Sequence, residues 1–334
     1  MAGVFIFATQ IQLLQALSTH IDSFKRYLED QQFSRAPQTL YAPVDYILSL
    51  GGKRVRPALV LLGAEIFGGP MQLALPAAFA IELFHNFTLI HDDIMDEADI
   101  RRGQPTVHKK YNSNTAILSG DVMMVYAYEY LSKSPKVPET MKVFNTTAIE
   151  VCEGQQYDMD FENRNEVSIE EYLEMISLKT AVLLGAALEI GAITAGASDT
   201  DRKQIYAFGK NLGIAFQLKD DILDTFAENA AFGKKIGGDI IQNKKTFLLI
   251  TALNEANTEQ RNALDKWLAN SSDDAAKVAG VKAIYNELGI QAKSEAAAEE
   301  YYQKALLDVD ALSIASDQKQ KLKAFAEQLL KRTK

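Results

Sequence analysis

Apolar residues along this chain recur at the three-and-four spacing of helices, not at the alternation of strands. The pattern predicts helices at about 9–30, 42–50, 57–67, 72–96, 113–132, 138–160, 168–177, 179–196, 200–224, 243–253, 257–270, 274–288 and 291–333, the last one broken. No convincing alternating segment or Asn-Gly hairpin interrupts them. Of the 8 prolines, Pro43, Pro57, Pro76, Pro105, Pro135 and Pro138 fall at predicted helix starts or in loops. No repeat of fixed period and no Gly/Ser- or Pro-rich linker divides the chain. The expectation is one all-α domain over 1–334, with a motif-bearing core at about 41–249 and outer helices rich in Ala, Glu, Lys and Gln at about 254–334.

Two apolar stretches test that picture. The N-terminal "MAGVFIFATQIQLLQAL" lacks a basic leader and a cleavage site, so it reads as the start of an amphipathic helix and not as a signal peptide. "TAVLLGAALEIGAITAGA", Thr180 to Ala197, is interrupted by Glu189 and is shorter than the roughly 20 apolar residues that span a bilayer. A helix apolar on every side at this length belongs at the centre of a large helical protein. Composition agrees: 334 residues, 47% hydrophobic and 24% charged, are ordinary for a soluble globular protein. The net charge of −9 argues against general nucleic-acid binding. It does not exclude anionic substrates, because a local basic pocket or bound cations override the global sign. Cys152 is the only cysteine, so no intrachain disulfide forms and a reducing, cytoplasmic location fits.

The chemistry shows where the apolar pattern is broken by acids. "HDDIMDEADIRRG", His91 to Gly103, carries Asp92, Asp93 and Asp96 near the end of a long apolar helix. Asp92 and Asp96 are one turn apart on one face, about 6 Å from each other, with His85 two turns back. In "FQLKDDILD", about 128 positions later, Gln217, Asp220, Asp221 and Asp224 form a second polar stripe. Like charges at this spacing weaken a helix, and surface acids are normally interleaved with Lys and Arg. A divalent cation removes the repulsion, and carboxylates without His or Cys suit Mg²⁺. His91 has no second His or Cys at the spacing zinc requires.

Three basic groups answer the acids. "GGKRVRP", Gly51 to Pro57, offers Lys53 and Arg56 as the useful pair, a point charge and a planar fork for phosphate oxygens. Arg101 and Arg102 follow the first acidic cluster directly. "FGKKIGGDIIQNKKTFL" places Lys234, Lys235, Lys244 and Lys245 around Gly237-Gly238, and the choice within each lysine pair stays open. Two acidic stripes with three basic groups suggest two anionic ligands, one bridged by metals and one held by Lys and Arg alone. No general acid–base or nucleophile set appears, so the expected chemistry is metal-assisted departure of a phosphate-type leaving group.

These motifs, in this order from about Tyr41 to Leu249, resemble the trans-type polyprenyl diphosphate synthases. Gly51-Gly52-Lys53-Arg54-Val55-Arg56-Pro57, the first Asp-rich motif with Arg101-Arg102-Gly103, "GQQYDMDFE" from Gly154, Lys179-Thr180 and the second Asp-rich motif all match. The resemblance implies an all-α barrel of antiparallel helices around a deep central cavity, as a homodimer. It implies three Mg²⁺ ions, with Mn²⁺ as the alternative, joining Asp92, Asp96 and Asp220 to an allylic diphosphate. Asp93, Asp221 and Asp224 complete the two catalytic motifs. Arg101, Lys179, Thr180, Gln217, Lys234 and Lys244 would contact the same diphosphate. Lys53, Arg56, His85 and Arg102 would hold isopentenyl diphosphate without metal. The implied reaction condenses the two head to tail.

Product length follows from the residues below the first motif. Phe87 lies about 7.5 Å along the axis from Asp92, and Thr88 is nearer the Asp92 face. The floor role of Phe87 comes from the family; this chain lacks the two-residue insertion that the family's bacterial farnesyl synthases tend to carry in the first motif, and an aromatic at Phe87 without it resembles the archaeal-type geranylgeranyl synthases. Phe84, a turn deeper, is a second candidate block. The expected product is geranylgeranyl over farnesyl diphosphate. The competing readings are a class I terpene cyclase, which has no use for Lys53 and Arg56, and a non-catalytic subunit, which commonly loses an Asp motif.

Overall fold

The computed structural model describes residues 17–33, 35–227, 237–269 and 273–331. Helices α1 (17–29), α2 (Gln38–Ser49), α3 (Val55–Ile66) and α4 (Met71–Met95) come first. A two-residue hairpin, β1 (Ile100–Arg101) and β2 (Gln104–Pro105), leads to α5 (Val107–Lys110), α6 (Ser113–Leu131) and α7 (Val137–Glu162). Then follow α8 (Ile169–Ile176), a π turn (Ser177–Ala181), α9 (Val182–Thr194) and α10 (Asp199–Phe226). The rest is α11 (Gly238–Ile241), α12 (Phe247–Glu255), α13 (Thr258–Ala269), α14 (Asp274–Glu287), α15 (Ile290–Ala311) and α16 (Ser316–Leu330).

Local chemistry sets several of these boundaries. Ser168 accepts from the Glu171 N–H while the Glu171 carboxylate accepts from the Ser168 N–H, a reciprocal cap that starts α8. Ser198 caps α10 through the Asp201 N–H and Thr246 caps α12 through the Leu249 N–H. α9 is buried at nearly every position and packs against α3, α4, α7 and α10. Its crossing with α3 is backbone to backbone: a methyl group on Gly63 would overlap the Leu188 carbonyl, and one on Gly191 would overlap that of Val60. The outer α15 is pinned to α10 by Asp308, which accepts from Gln204 Nε2 at 2.6 Å and Asn211 Nδ2 at 2.7 Å.

Five expectations need correction. A hairpin exists between α4 and α5, turning through Arg102 and Gly103 at φ 53° and 75°; positive φ at both central residues is the tight turn that suits strand twist. It is too short to show alternation. The helices predicted at 168–177 and 179–196 form one continuous rod, because the π turn absorbs the irregularity without a break. α2 starts at Gln38, so Pro43 lies inside the helix and not at its start. Pro76 is likewise interior to α4. The helix expected at 243–253 begins only at Phe247, in α12, because residues 242–246 form the connection from the short α11.

The α4 helix and the α8–α9 rod are both long and apolar enough to span a bilayer by length and composition, yet 61% and 83% of their apolar windows are buried inside the protein. Those faces are core.

Candidate active site

α4 carries both halves of the site on one rod. Asp92 and Asp96 lie at its C-terminal end, and Asp96 is its cap residue, with its N–H donating to the Asp92 carbonyl at 2.8 Å. Asp92 is half-buried, and burial first of all, aided by Asp96 and Asp93, pushes its carboxyl up to about 6 against the pull of Lys179 and Arg101. Asp93 faces away from them and is buried. Arg101 grips it through Nε at 2.9 and 2.8 Å from its two oxygens and Nη2 at 2.7 Å. The first Asp motif is therefore divided: Asp93 anchors the hairpin, while Asp92 and Asp96 are left for a ligand.

The second motif divides in the same way. Asp220 is exposed, whereas Asp221 is buried and accepts from the Tyr172 hydroxyl at 2.5 Å and from Gln217 Nε2 at 3.0 Å. Burial, with Asp239 adding repulsion, raises Asp221 to about 7. Asp224 accepts from the Asp239 N–H at 2.9 Å and holds the Gly237-Gly238 turn. The single polar stripe expected from the sequence is thus one outward carboxylate and two anchoring ones.

Lysines join the two acidic ends. Lys179, in the π turn, is paired with Asp158 of α7, and Gly154 gives α7 the close approach, since a methyl there would overlap the Lys179 backbone. Lys244 lies 3.6 Å from Asp239. Burial lowers its pKa, but Asp239, Asp158, Asp96 and Asp221 together outweigh this and raise it. Lys244 thus lies within electrostatic reach of one acid from each motif, Asp96 and Asp221. Lys245 instead donates to the Asn243 carbonyl at 3.5 Å, and burial lowers its pKa. Lys234 and Lys235 lie outside the described residues. Thr180 is half-buried beside Lys179.

Two turns below Asp92 the sign reverses. His85 Nε2 lies 3.3 Å from Arg56 Nη1. Burial, then Arg56, Arg102, Arg101 and Arg54, hold His85 well below its usual pKa, so it is neutral. Arg56 is lowered to about 10 by burial, with Glu82 opposing and Arg102 reinforcing, and its Nε has no partner among the described residues. Arg102 donates to the Gly51 carbonyl, clasping the glycine loop that carries Lys53. Arg54 is different: it is buried against Glu82 and the Leu48 carbonyl. Mutually repelling cations with few counter-ions form a ready anion site.

The carboxylate set fits Mg²⁺. It offers hard oxygens, and Asp92 is held in a setting that penalises its charge until a cation arrives. Among the described residues no three His, Cys, Asp or Glu side chains converge tightly enough to hold a metal alone. Ligands from a substrate would have to complete each coordination shell, which is how Mg²⁺ is commonly bound with phosphates.

Below the acids α4 presents aromatic rings. Phe87 is half-buried, its ring 5.8 Å from Phe84 and 4.6 Å from His91. Phe84 is fully buried and meets Phe144 of α7 edge-on at 5.3 Å, and Phe144 in turn meets Tyr128 of α6 at 5.1 Å. Thr88 turns its hydroxyl back onto the His85 carbonyl at 2.8 Å. Sequence reasoning missed Asp158, Tyr172, Asp239, Phe144 and Tyr128. Only Asp158 had a signal, its place in "GQQYD".

The sequence profile of the family described as Polyprenyl synthetase matches residues 37–288. The chain is 44% identical over 248 residues to a geranylgeranyl diphosphate synthase of Methanosarcina mazei, covering 73% of this chain and 76% of that protein. It is 39% identical over 302 residues to the geranylgeranyl diphosphate synthase of Sulfolobus acidocaldarius, covering 88% and 91%. A crystal structure of a geranylgeranyl pyrophosphate synthase superposes with a TM-score of 0.91 at 46% identity, covering 95% of this chain and 99% of that one.

Proposed function

This chain belongs to the polyprenyl synthetase family, and from that premise we propose how its site divides the work. The protein is a short-chain isoprenyl diphosphate synthase, a prenyltransferase that extends an allylic diphosphate with isopentenyl diphosphate. Dimethylallyl, geranyl and farnesyl diphosphates serve as starters, and geranylgeranyl diphosphate is the favoured product over farnesyl diphosphate. The observation that carries the division is the change of charge below the acids: Asp92 and Asp96 close α4, whereas two turns back His85 of α4 lies 3.3 Å from Arg56 of α3.

The allylic diphosphate sits at the acidic end. Asp92, Asp96 and Asp220 would hold Mg²⁺ there, three ions in all, and Lys179 and Lys244 would reach the same phosphate oxygens. The bound Mg²⁺ supplies Lewis acidity that stabilises the departing diphosphate. The allylic C1–O bond breaks, and its electron pair leaves with the diphosphate. The C3–C4 π pair of isopentenyl diphosphate then forms the new bond to C1, and a C2 proton is lost to regenerate an alkene. Arg56, Arg102, Lys53 and neutral His85 bind the isopentenyl diphosphate by charge and hydrogen bonds, without a metal to make it a leaving group. Holding both partners in line converts the encounter into a near-unimolecular step. Apolar side chains from α4 and α7 keep water from the cation.

Phe87, backed by Phe84, floors the path of the growing chain. The exposed apolar residues Leu118 and Val125 of α6 and Ile149 of α7, between 60% and 65% exposed, form the contact of a homodimer. Free Cys152 suits the cytoplasm. Condensation of labelled isopentenyl diphosphate with each allylic starter in Mg²⁺ tests this reading. A cyclised hydrocarbon without isopentenyl incorporation would favour the terpene cyclase instead.

A further inference from the structure

Gln155 is the polar group of the site region that the reading above leaves without a task. It sits on α7 in "GQQYD" and is only 9% exposed. Neither its amide oxygen nor its amide nitrogen has a hydrogen-bond partner among the described residues. Leaving such an amide buried and unsatisfied forfeits its hydration with nothing in return, so a satisfied state is expected once something binds.

Its neighbours on the helix say where it faces. Phe144, Val151, Gln155 and Asp158 fall at seven-, four- and three-residue steps, one stripe of α7. At the lower end Phe144 meets Phe84 of α4. At the upper end Asp158 is paired with Lys179. Asp92 feels the charge of Lys179, and Cys152, one turn before Gln155, feels Asp92. Gln155 therefore lies on the stripe of α7 that runs from Phe144 up to Asp158, one turn below the Asp158–Lys179 pair. In the reading above, the diphosphate occupies the mouth and the hydrocarbon runs down toward Phe84. Gln155 stands at the junction, level with the allylic carbons that become positive.

We propose that Gln155 is a catalytic residue whose amide dipole lies along the nascent ion pair, its carbonyl oxygen against the allylic cation and its N–H toward the departing diphosphate. This rests on the prenyltransferase reading of the site. The choice of an amide is chemically apt. A carbonyl oxygen held in place stabilises developing positive charge in an apolar surround. An ionised carboxylate at the same point could capture the cation as an ester, whereas a neutral amide oxygen is a poor trap. The two orphaned atoms are then satisfied by two opposite charges that exist only as the C–O bond breaks.

The test is steady-state kinetics of Gln155→Met, which keeps the shape and removes the dipole, beside the wild-type protein in Mg²⁺ with farnesyl and isopentenyl diphosphates. The expected result is a fall in kcat on the order of 10²-fold, with both KM values changed by less than about threefold. Gln155→Asn, with the amide on a shorter arm, should lie between the two. A Gln155→Met kcat within about threefold of wild type overturns the proposal. So does a loss that appears mainly in KM and is matched by a lowered melting temperature, because packing then explains it. If Gln155→Met does not fold, the comparison is made on Gln155→Leu, which also lacks the amide, with the same criteria. Failure of the wild-type protein to condense the substrates would instead remove the functional reading itself.

Discussion

Arg101 holds Asp93 with its Nε 2.8 Å from one carboxylate oxygen and its Nη2 2.7 Å from the other. This planar, two-pronged grip ties the hairpin to the end of α4 and takes the middle acid of the first motif out of the metal set. Arg101→Lys keeps the charge but loses the fork. Activity should fall about 10- to 100-fold, through misplacement of Asp92 and Arg102. Asp93→Asn should resemble it. If either variant turns over like wild type, the anchoring role is wrong.

Glu82 and Arg54 form a buried ion pair, their side chains 2% and 4% exposed, and Asn86 Nδ2 adds a 3.0 Å bond to the same carboxylate. Breaking one side of such a pair leaves a stranded charge, so Glu82→Gln should destabilise the protein by about 3–5 kcal/mol. Urea unfolding measures it. A loss below about 1 kcal/mol would mean that the pair is solvated in solution.

The sequence showed three basic residues in "GGKRVRP" but could not say that Arg54 looks inward, because its partner Glu82 lies 28 positions away. It placed nearly all the long helices, since their apolar periodicity is local. It read each Asp cluster as one stripe, whereas burial sends Asp93 to Arg101 and Asp221 to Tyr172. Those partners come from other elements, and spacing along one helix carries no trace of them. The hairpin and the π turn were invisible for another reason: strands of two residues and a π turn of five are too short to set up a periodic pattern of their own.

The aromatic floor yields a prediction with two parts. Phe87→Ala should shift products beyond twenty carbons by opening the face beside Phe84. Phe144→Ala should lengthen them less alone and add to Phe87→Ala in the double variant, because Phe144 supports Phe84 from behind at 5.3 Å. Chain sizing of products reads both. An unchanged length distribution in Phe87→Ala would remove it as the floor.

Val125 is 65% exposed and Leu118 is 60% exposed, two turns apart on α6. Val125→Asp should convert the proposed homodimer to monomer, since a carboxylate buried without a partner opposes association. Light scattering after size exclusion gives the mass. A wild-type protein that is monomeric throughout would refute this contact.

The central claim is tested most directly by incubating the purified protein with labelled isopentenyl diphosphate, farnesyl diphosphate and Mg²⁺, and sizing the extended chains. The account predicts incorporation that stops at twenty carbons and disappears when the metal is chelated. No incorporation with farnesyl, geranyl or dimethylallyl diphosphate would contradict it.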